Sequence, residues 1–404
     1  MLDARNNRSL LLVVEQRFTQ SVDGRVWTTG HYAYPFLCRY LGKYQRVFVL
    51  SRLAMAAAPP PNARISSGPG VEHIPLPDYR GLSGLLPRIF PICWRTIRAC
   101  NRADVVIVRS PSTFGALLLP VSAVTGKPFA VEVIGDPADV FAPGVLRHPL
   151  RPLVRLVTTH IQRMLCRHAR AVCYVSMALR DKYPTGGYVV VCSDCELGPN
   201  AFVPVPRSKS RFSAGRLRIV MVATFAQPYK GHDTLIRAIS LALGKCPGLD
   251  LHVEFIGDGR LQLAVKQQVA QFGLQDRATF HGFIGDDVRL LELLDTADLM
   301  VLPSRTEGLP RSIIEGLARG LPCVGTDVGG IPELLDSACV FPRDDAESLA
   351  NLLISLANDP VEMARQSERN LVRSQDFSAA RLRQQFGTFL RVLGLKTEEQ
   401  SNPI

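Results

Sequence analysis

The second half of the chain alternates between short apolar runs and longer stretches with helical periodicity. Strands are predicted at Arg218–Val222, Leu251–Ile256, Leu299–Leu302 and Pro322–Thr326, with shorter ones near Phe280 and Val340. Helices are predicted between them, at Thr234–Leu243, Leu261–Phe272, Val288–Asp295, Pro310–Arg319 and Ala346–Ala357. Near-continuous apolar strands separated by amphipathic helices indicate a parallel sheet covered on both faces, which is a doubly wound α/β domain.

The first half of the chain repeats this alternation less regularly. Apolar strands are predicted there at Leu10–Val14, Val47–Ser51, Val105–Val108, Phe129–Val133, Ala171–Val175 and Tyr188–Val191. Proline, glycine and small polar residues mark a loop at Ala56–Gly70 and a connector between domains at Pro199–Gly215. We therefore expect two Rossmann-like domains, residues 1–204 and 205–372, facing each other across a cleft. A helical segment at 373–395 should pack back on the first domain, and residues 396–404 should be a disordered tail.

Two glutamates separated by seven residues are the clearest candidates for chemistry. Glu307 follows the apolar run at 299–303, and Glu315 lies inside the helix that Pro310 should begin and Gly320 should end. A helix rises about 1.5 Å per residue, which places the two carboxylates roughly 10 Å apart. This is about the separation between the sugar ring and the ribose of a nucleotide-diphosphate sugar. The helix N-terminus between them offers free N–H groups to a diphosphate.

Each of these features also has a purely structural interpretation. Arg311, Glu315 and Arg319 are spaced as on an exposed, ion-paired helix face, and two glutamates at a fixed distance are a weak motif alone. Lys230-Gly231 lies between the first strand of the second domain and the next helix, where a lysine suits a diphosphate. A surface lysine before a turn glycine is the alternative.

The positive charge is unevenly distributed along a chain of otherwise ordinary globular composition. The formal net charge is +11, and the surplus lies in the first 200 residues. The Arg147–Arg180 stretch contains seven arginines, many apolar residues and no acidic residue, so it is basic and amphipathic. It suits an anionic membrane surface or a phosphate-bearing acceptor, and a solvated basic helix is the alternative. No motif for nucleic-acid binding is present, so we expect no nucleic-acid partner.

Cysteine usage and hydropathy bear on the cellular compartment. Most of the ten cysteines lie in apolar segments, which predicts buried free thiols in a reducing compartment. Cys192-Ser-Asp-Cys195 is a lone C-x-x-C, interpreted as two reduced thiols at a strand end rather than a metal or redox site. Leu10–Val14 is too short for a signal-peptide core, and Phe114–Thr125 is too short to span a bilayer. We expect a cytoplasmic protein that can be peripheral on the inner face of the cytoplasmic membrane.

Seven sequence pieces occur in the order typical of one enzyme family. They are Lys230-Gly231, Phe255-Ile-Gly-Asp-Gly259, Phe280-His-Gly282, Ala297-Asp298, Pro303-Ser304, Glu307 to Glu315, and Gly329-Gly-Ile-Pro-Glu333. Together they closely resemble the C-terminal domain of the retaining glycosyltransferases of family 4, which have the GT-B fold. The resemblance runs from about Ile219 to Leu335. It implies that residues 205–372 bind a nucleotide sugar and that residues 1–204 bind the acceptor.

The resemblance also implies a role for individual residues of the second domain. Lys230 would bind the diphosphate, Glu307 the hydroxyls of the donor sugar, and Glu315 the hydroxyls of the ribose. The remaining donor-binding positions are the sugar- and phosphate-facing segment Gly308, Leu309 and Pro310, the nucleotide-facing loop Gly257, Asp258 and Gly259, and Phe283 beside the base. No metal or other cofactor is expected, because Lys230 and helix dipoles would neutralise the phosphates.

The chain departs from the family pattern at three places. Thr224-Phe225 stands where the family often has Gly-Arg, so one diphosphate cation is missing, and Arg305 and Arg311 are the candidates to replace it. In the first domain the segment Val131–Pro137 lacks the histidine that the family often carries, and we place Asp136 near the acceptor instead.

Asp23-Gly24, several residues after the first strand, is the third departure. It is either the glycine-containing loop that covers the phosphates or a plain turn.

The sequence therefore predicts a retaining glycosyltransferase. It would move a sugar from a nucleotide-diphosphate sugar to a hydroxyl of a lipid-linked saccharide in bacterial surface-polysaccharide biosynthesis. A sugar-nucleotide epimerase or a phosphorylase of the same fold is the first alternative. A non-catalytic membrane-surface binding protein that uses only the Arg147–Arg180 stretch is the second.

Overall fold

The computed structural model describes residues 8–79, 84–112, 114–141 and 149–394. The tail expected at 396–404 and the first two residues of the Arg147–Arg180 stretch lie outside these ranges. Across the described ranges, no helix combines the length and the apolar character needed to cross a membrane.

A mostly parallel sheet organises the first half of the chain. Its strands are β1 Ser9–Gln20, β2 Val26–Thr28, β3 Arg46–Met55, β4 Arg64–Ile65, β5 Val71–Leu76, β6 Val105–Ser110, β7 Phe129–Val133, β8 Ala171–Tyr174 and β9 Tyr188–Val191. The parallel strands run in the order β5-β3-β1-β6-β7-β8-β9, and the short strands β2 and β4 add antiparallel pairs beyond the end of β1. The apolar runs predicted as strands are all present.

Helices cover both faces of this first sheet. They are α1 Tyr34–Leu41, α2 Ile89–Arg102, α3 Leu118–Thr125, α4 Pro137–Val140, α5 Arg151–His168 and α6 Met177–Lys182. Helices α2, α3 and α5 share one apolar core on one face, and α1 packs into a second core on the other face. The two cores use alternate residues of the strands, Leu11 and Val13 on one side and Leu10 and Leu12 on the other, as expected for a sheet buried on both faces.

The second half of the chain forms a separate parallel sheet. Its strands are β10 Arg216–Val222, β11 Asp250–Ile256, β12 Ala278–Gly282, β13 Leu299–Leu302, β14 Cys323–Thr326 and β15 Val340–Phe341. Its helices are α7 His232–Lys245, α8 Gln262–Gln271, α9 Asp287–Thr296, α10 Arg311–Ala318, α11 Ile331–Leu334, α12 Ala346–Ala357 and α13 Pro360–Ser374. The strand order is β12-β11-β10-β13-β14-β15, which confirms the doubly wound domain.

The strand order of the second sheet determines where a ligand can bind. The order reverses between β10 and β13, which pair directly through Ile219 and Leu299. In open α/β sheets, ligands bind beyond the carboxyl ends of the strands at such a reversal. The loop after β10 carries Lys230 and the loop after β13 carries Glu307, so the topology places both at that point.

The last helix, α14 Ala379–Gly394, returns to the first sheet. It packs against β8 and β9, and the carbonyl of Leu390 accepts a hydrogen bond from the hydroxyl of Tyr44 at 3.3 Å. The two segments that cross between the domains are bonded to each other. Leu197 N–H donates to the Phe377 carbonyl and Ala379 N–H donates to the Leu197 carbonyl, each at 2.9 Å.

Candidate active site

Lys230, predicted to bind the diphosphate of a donor, and Glu307, predicted to bind its sugar, form an ion pair with each other. A carboxylate oxygen of Glu307, Oε1, accepts hydrogen bonds from Lys230 Nζ at 2.6 Å and from the Ser304 hydroxyl at 2.7 Å. The side chains of Glu307 and Lys230 are only 9% and 18% exposed. Burial alone would lower the pKa of Lys230, but the adjacent Glu307 carboxylate raises that pKa above its ordinary value. The ammonium therefore stays charged at neutral pH.

A glycine conformation brings Lys230 to Glu307. Gly231 has a φ of 76°, and a Cβ built there would lie 1.9 Å from the Pro303 carbonyl oxygen. Only a residue without a side chain can pass so close to the loop that carries Glu307. Helix α7 begins at the next residue, and no side chain caps its N-terminus.

Arg305 is held by the protein rather than offered to a ligand. Its guanidinium donates to Asp344 at 2.5 Å, to the Pro228 carbonyl at 2.7 Å and to Asp233 at 2.7 Å. These bonds tie the Lys230 loop to the Glu307 loop. Arg305 is therefore a weaker candidate for the missing diphosphate cation, because all three of its guanidinium nitrogens already donate to protein oxygens.

Arg311 is the better placed of the two arginine candidates. It begins α10, its side chain is 50% exposed, and its Nη1 lies 2.7 Å from His31 Nδ1 of the first domain. A guanidinium can only donate, so His31 accepts through Nδ1 and carries its proton on Nε2. Burial lowers the pKa of His31 to about 3, which keeps the ring neutral. The sequence analysis missed His31, although Gly30-His31 directly before an amphipathic helix was a readable signal.

Glu315 lies one turn into α10 and is 3.5 Å from Arg311. Burial raises the pKa of its carboxyl above the ordinary value, against the opposing effect of Arg311. The ion-paired helix face that was the structural alternative is thus present in part, as the Arg311–Glu315 pair. The expected third member, Arg319, instead pairs with Asp295 at 2.7 Å, which leaves Glu315 with one cation.

The segment between the two glutamates differs from the prediction at its helix start. Pro310 is the N-cap residue of α10 rather than its first helical residue, and no side chain caps the helix. The helix ends as predicted, at Gly320 with a φ of 57°. Its first N–H groups are therefore available beside Leu309, since the first backbone hydrogen bond runs from Ile314 N–H to the Pro310 carbonyl.

Gly308 is where the second domain meets the first. A Cβ built on Gly308 would lie 2.3 Å from the carbonyl oxygen of Ile134, which follows β7. The Gly308 carbonyl accepts a hydrogen bond from Gly330 N–H at 2.8 Å, and a Cβ on Gly329 would lie 1.9 Å from the Glu307 carbonyl oxygen. Because these glycines have no side chains, the backbone at Gly308 can pack against the backbone at Ile134 and at Gly329-Gly330, next to Glu307.

The loop Gly257-Asp258-Gly259 needs its glycines for contacts within the domain. Their φ values are 138° and 149°, and Cβ atoms there would lie 2.0 Å from the Ala223 carbonyl oxygen and 2.3 Å from Ala226 N. Asp258 turns back to accept from Gly259 N–H at 2.7 Å.

Phe283, expected beside the base, follows β12 and is 52% exposed. It therefore lies at the same end of the sheet as this loop.

Asp136 in the first domain is a buried N-cap. It accepts from Ala138 N–H at 2.8 Å and from the Tyr183 hydroxyl at 2.5 Å, and it pairs with Lys182. These three partners occupy both carboxylate oxygens, so Asp136 has a structural task in addition to any role near the acceptor. It does lie close to the second domain, because Asp139 on the same short helix is a neighbour of Thr306.

Asp23-Gly24 forms the plain turn that was the structural alternative. Asp23 accepts from the Ser21 hydroxyl at 2.5 Å and from Arg25 N–H at 3.1 Å, which closes the hairpin between β1 and β2. Gly24 has a φ of 81°, as this tight turn requires.

A buried charge cluster next to His31 was not predicted. Arg109, at the end of β6, donates to Glu132 at 2.5 Å and to Asp194 at 2.7 Å. Its Nε also donates to the Tyr32 hydroxyl at 3.0 Å. Asp194 lies 3.7 Å from His31, so the cluster extends to the contact between the domains. The signal was a charged residue inside each of two neighbouring apolar strands.

The cysteines and possible metal ligands can be surveyed across the described ranges. All ten cysteines are free thiols there, as predicted, including Cys192 and Cys195. No group of three or more His, Cys, Asp or Glu side chains is placed in those ranges so that it could hold a metal ion.

Comparison with known proteins shows which proteins this chain is similar to. Residues 216–359 match the family model for glycosyl transferases group 1. The chain is 24% identical to protein CapJ of Staphylococcus aureus over 321 residues, which is 78% of each chain. It is 33% identical over 156 residues to the amylovoran biosynthesis glycosyltransferase AmsK of Erwinia amylovora, covering 36% of this chain and 37% of AmsK.

Solved structures show the same architecture over nearly the whole chain. The crystal structure of Anabaena Alr3699/HepE in complex with UDP and glucose superposes with a TM-score of 0.66 at 18% identity, covering 95% of this chain and 100% of that one. This likeness confirms the two-domain GT-B fold, and the sequence matches confirm the family resemblance. The protein is thus a glycosyltransferase of GT-B fold, and its residues 216–359 match the glycosyl transferases group 1.

Proposed function

We propose that the protein transfers a sugar from a nucleotide-diphosphate sugar to a hydroxyl of a saccharide acceptor, with retention of the anomeric configuration. The observation that carries this proposal is the Lys230–Glu307 pair at the strand-order reversal, between the uncapped N-termini of α7 and α10. A cation, helix dipoles and a carboxylate are what a diphosphate and a sugar require at adjacent positions. The Anabaena structure, which holds UDP and glucose, supports a donor of this class.

The proposed reaction places each residue at a developing charge. The bond between the anomeric carbon and the diphosphate breaks, and the bond to the acceptor oxygen forms on the same face. The acceptor proton passes to an oxygen of the departing diphosphate. Lys230 and the first N–H groups of α10 stabilise the negative charge on that diphosphate. Glu307 accepts hydrogen bonds from the sugar hydroxyls once a donor diphosphate has taken over its lysine, and Glu315 binds the ribose.

We further propose that this neutralisation makes a divalent metal unnecessary. Turnover should then persist after the protein is treated with EDTA and desalted. A transfer rate that collapses after this treatment and returns with Mg²⁺ or Mn²⁺ would contradict the proposal.

The acceptor is proposed to be a lipid-linked saccharide in the synthesis of a bacterial surface polysaccharide, at the inner face of the cytoplasmic membrane. AmsK is an amylovoran biosynthesis glycosyltransferase, and this similarity supports the polysaccharide class. The basic first domain supports an acceptor that carries phosphate.

A panel of sugar nucleotides tests the donor half of the proposal. Binding of the correct donor at a hundredfold excess over its Kd should stabilise the fold by about 2.7 kcal/mol, which thermal unfolding detects. The best donor is then incubated with the protein alone and with short saccharides, and the product is analysed by NMR. Conversion of the donor without an acceptor would indicate an epimerase, and a product with inverted anomeric configuration would exclude retention.

A further inference from the structure

The first domain exposes an apolar stripe on helix α2. Leu86 in the preceding turn is 67% exposed, and Phe90 and Trp94 on the helix are 82% and 50% exposed. Ile89 and Ile97 are also exposed, and the spacing places all five on one side of the helix. Large apolar residues that expose this much area in a row mark an interaction surface. Aromatic residues in such a position are typical of the membrane interface.

A second apolar stripe lies on helix α5. Leu153, Leu156 and Val157 are exposed, although the opposite side of α5 is buried in the core through Leu165 and Cys166. Helices α2, α3 and α5 share one core on one face of the first sheet, so both stripes face away from that sheet on the same side. The segment Pro111–Gly126, which contains α3 between them, has no charged residue. The three helices together form what we call the α2-α3-α5 face.

The charge around the α2-α3-α5 face has one sign. The sequence has no acidic residue between Asp78 and Asp104, or between Asp139 and Asp181, so α2 and α5 carry arginines only. Arg98 stacks on Trp94 with its guanidinium 4.6 Å from the ring centre, which keeps a positive charge beside the exposed aromatic ring. A surface that combines apolar residues with arginine complements an anionic bilayer.

A basic cavity opens beside the apolar stripe of α5. Its volume is about 460 Å³. Arg151, Arg155, Thr159 and Arg163, spaced four residues apart along α5, line it together with Lys182 of α6, which is paired with Asp136. The Thr159 hydroxyl oxygen is buried and has no hydrogen-bond partner within the described part of the chain. Three guanidinium groups and an unpaired hydroxyl are donors that a phosphate group accepts from.

The cavity lies on the acceptor side of the candidate active site. Ala138 of α4 lines it, and the next residue, Asp139, lies beside Thr306 of the second domain. Thr306 directly precedes Glu307. One short helix therefore lies between the basic cavity and the residue proposed to bind the donor sugar.

We propose that this cavity binds the phosphate group of a membrane lipid while the α2-α3-α5 face rests on an anionic bilayer. Phe90 and Trp94 would enter the interface, and the arginines of α5 would hold the lipid phosphate. The binding does not require sugar transfer, and only the identification of this lipid with the acceptor rests on the proposed function. The membrane contact predicted for Arg147–Arg180 is thereby extended to α2, which the sequence analysis did not consider.

Vesicle sedimentation of the full chain tests the proposal. The protein should bind vesicles of phosphatidylcholine with phosphatidylglycerol, and binding should weaken as salt rises. The double substitution Arg155→Glu and Arg163→Glu should reduce the affinity by about tenfold or more, because it reverses two charges at the cavity. The matched control Arg46→Glu and Arg391→Glu makes the same change in exposed residues of the first sheet and α14, and it should leave binding intact. Phe90→Ser should weaken binding at every salt concentration.

Three results would overturn the proposal. The first is that the wild-type protein does not bind the anionic vesicles, and the second is that it binds pure phosphatidylcholine vesicles equally well. The third is that the Arg46→Glu and Arg391→Glu control loses as much vesicle binding as the Arg155→Glu and Arg163→Glu protein. Stabilisation of the wild type by inorganic pyrophosphate through Arg155 and Arg163, without vesicle binding, would assign the cavity to a soluble phosphate instead. Donor binding is measured in parallel by thermal unfolding. The Arg155→Glu and Arg163→Glu protein should still bind the donor, so failure at the membrane is distinguishable from failure of the proposed function.

Discussion

Separating the structural and the chemical contributions of the Lys230–Glu307 pair is the sharpest test of the site. Lys230→Met removes the cation and leaves a Glu307 carboxylate that is 9% exposed with only the Ser304 hydroxyl as donor. Breaking a buried pair costs about 3–5 kcal/mol. The retained hydroxyl and the partial exposure of Lys230 place this case at or below the lower end of that range, so we expect a loss of about 2–3 kcal/mol in urea unfolding.

The double variant Lys230→Met with Glu307→Gln decides between the two contributions. It removes both charges, so most of the lost stability should return. Transfer should not return, because the diphosphate charge would lack its cation, and loss of one such donor costs about 10²–10³-fold in kcat. Stability is measured by urea unfolding and transfer by initial rates with a saturating donor. A double variant with near-wild-type transfer would refute the reasoning, since the pair would then only hold two loops together.

The remaining predictions concern single positions. Glu315→Gln should raise the KM for the donor about tenfold, because a hydrogen bond between a carboxylate and a ribose hydroxyl is lost, whereas the exposed Glu292→Gln should change nothing measurable. Gly308→Ala should reduce kcat more than nucleotide affinity, because the alanine Cβ would lie 2.3 Å from the Ile134 carbonyl oxygen at the contact between the domains. The control is Gly244→Ala, where a Cβ would meet open space. Burial lowers the pKa of His232 to about 4, from 6.5 when unfolded, so the unfolded chain gains a proton first as the pH falls. The free energy of unfolding should therefore fall by up to about 1.4 kcal/mol per pH unit across that window, and His232→Gln should flatten this slope in urea unfolding.

The second domain could be predicted in detail because its signals are local. Most of its strands contain a near-continuous apolar run, and the glycines at 231 and 320 adopt the positive φ that their turns require. The adjacency of β10 and β13 follows from the doubly wound topology, so Lys230 and Glu307 could be assigned to one site. Their direct ion pair could not, because sequence spacing does not give the path of two loops in space.

The first domain was less predictable because its important contacts join distant segments. His31 meets Arg311 from the other domain, and Arg109 joins Glu132 to Asp194 across three parts of the chain. No local periodicity encodes such partners. Asp23-Gly24 is a local exception, since a D-G dipeptide between two strands is a turn signal that the sequence itself carries.

The paired crossings at Leu197 and Phe377–Ala379 join the two domains through two neighbouring lengths of backbone. Because these lengths are hydrogen-bonded to each other, we expect any relative movement of the domains to turn about this connection. The position of Gly308 against Ile134 involves backbone atoms of both domains. The registration of the two domains next to Glu307 thus relies on the main chain as well as on side chains.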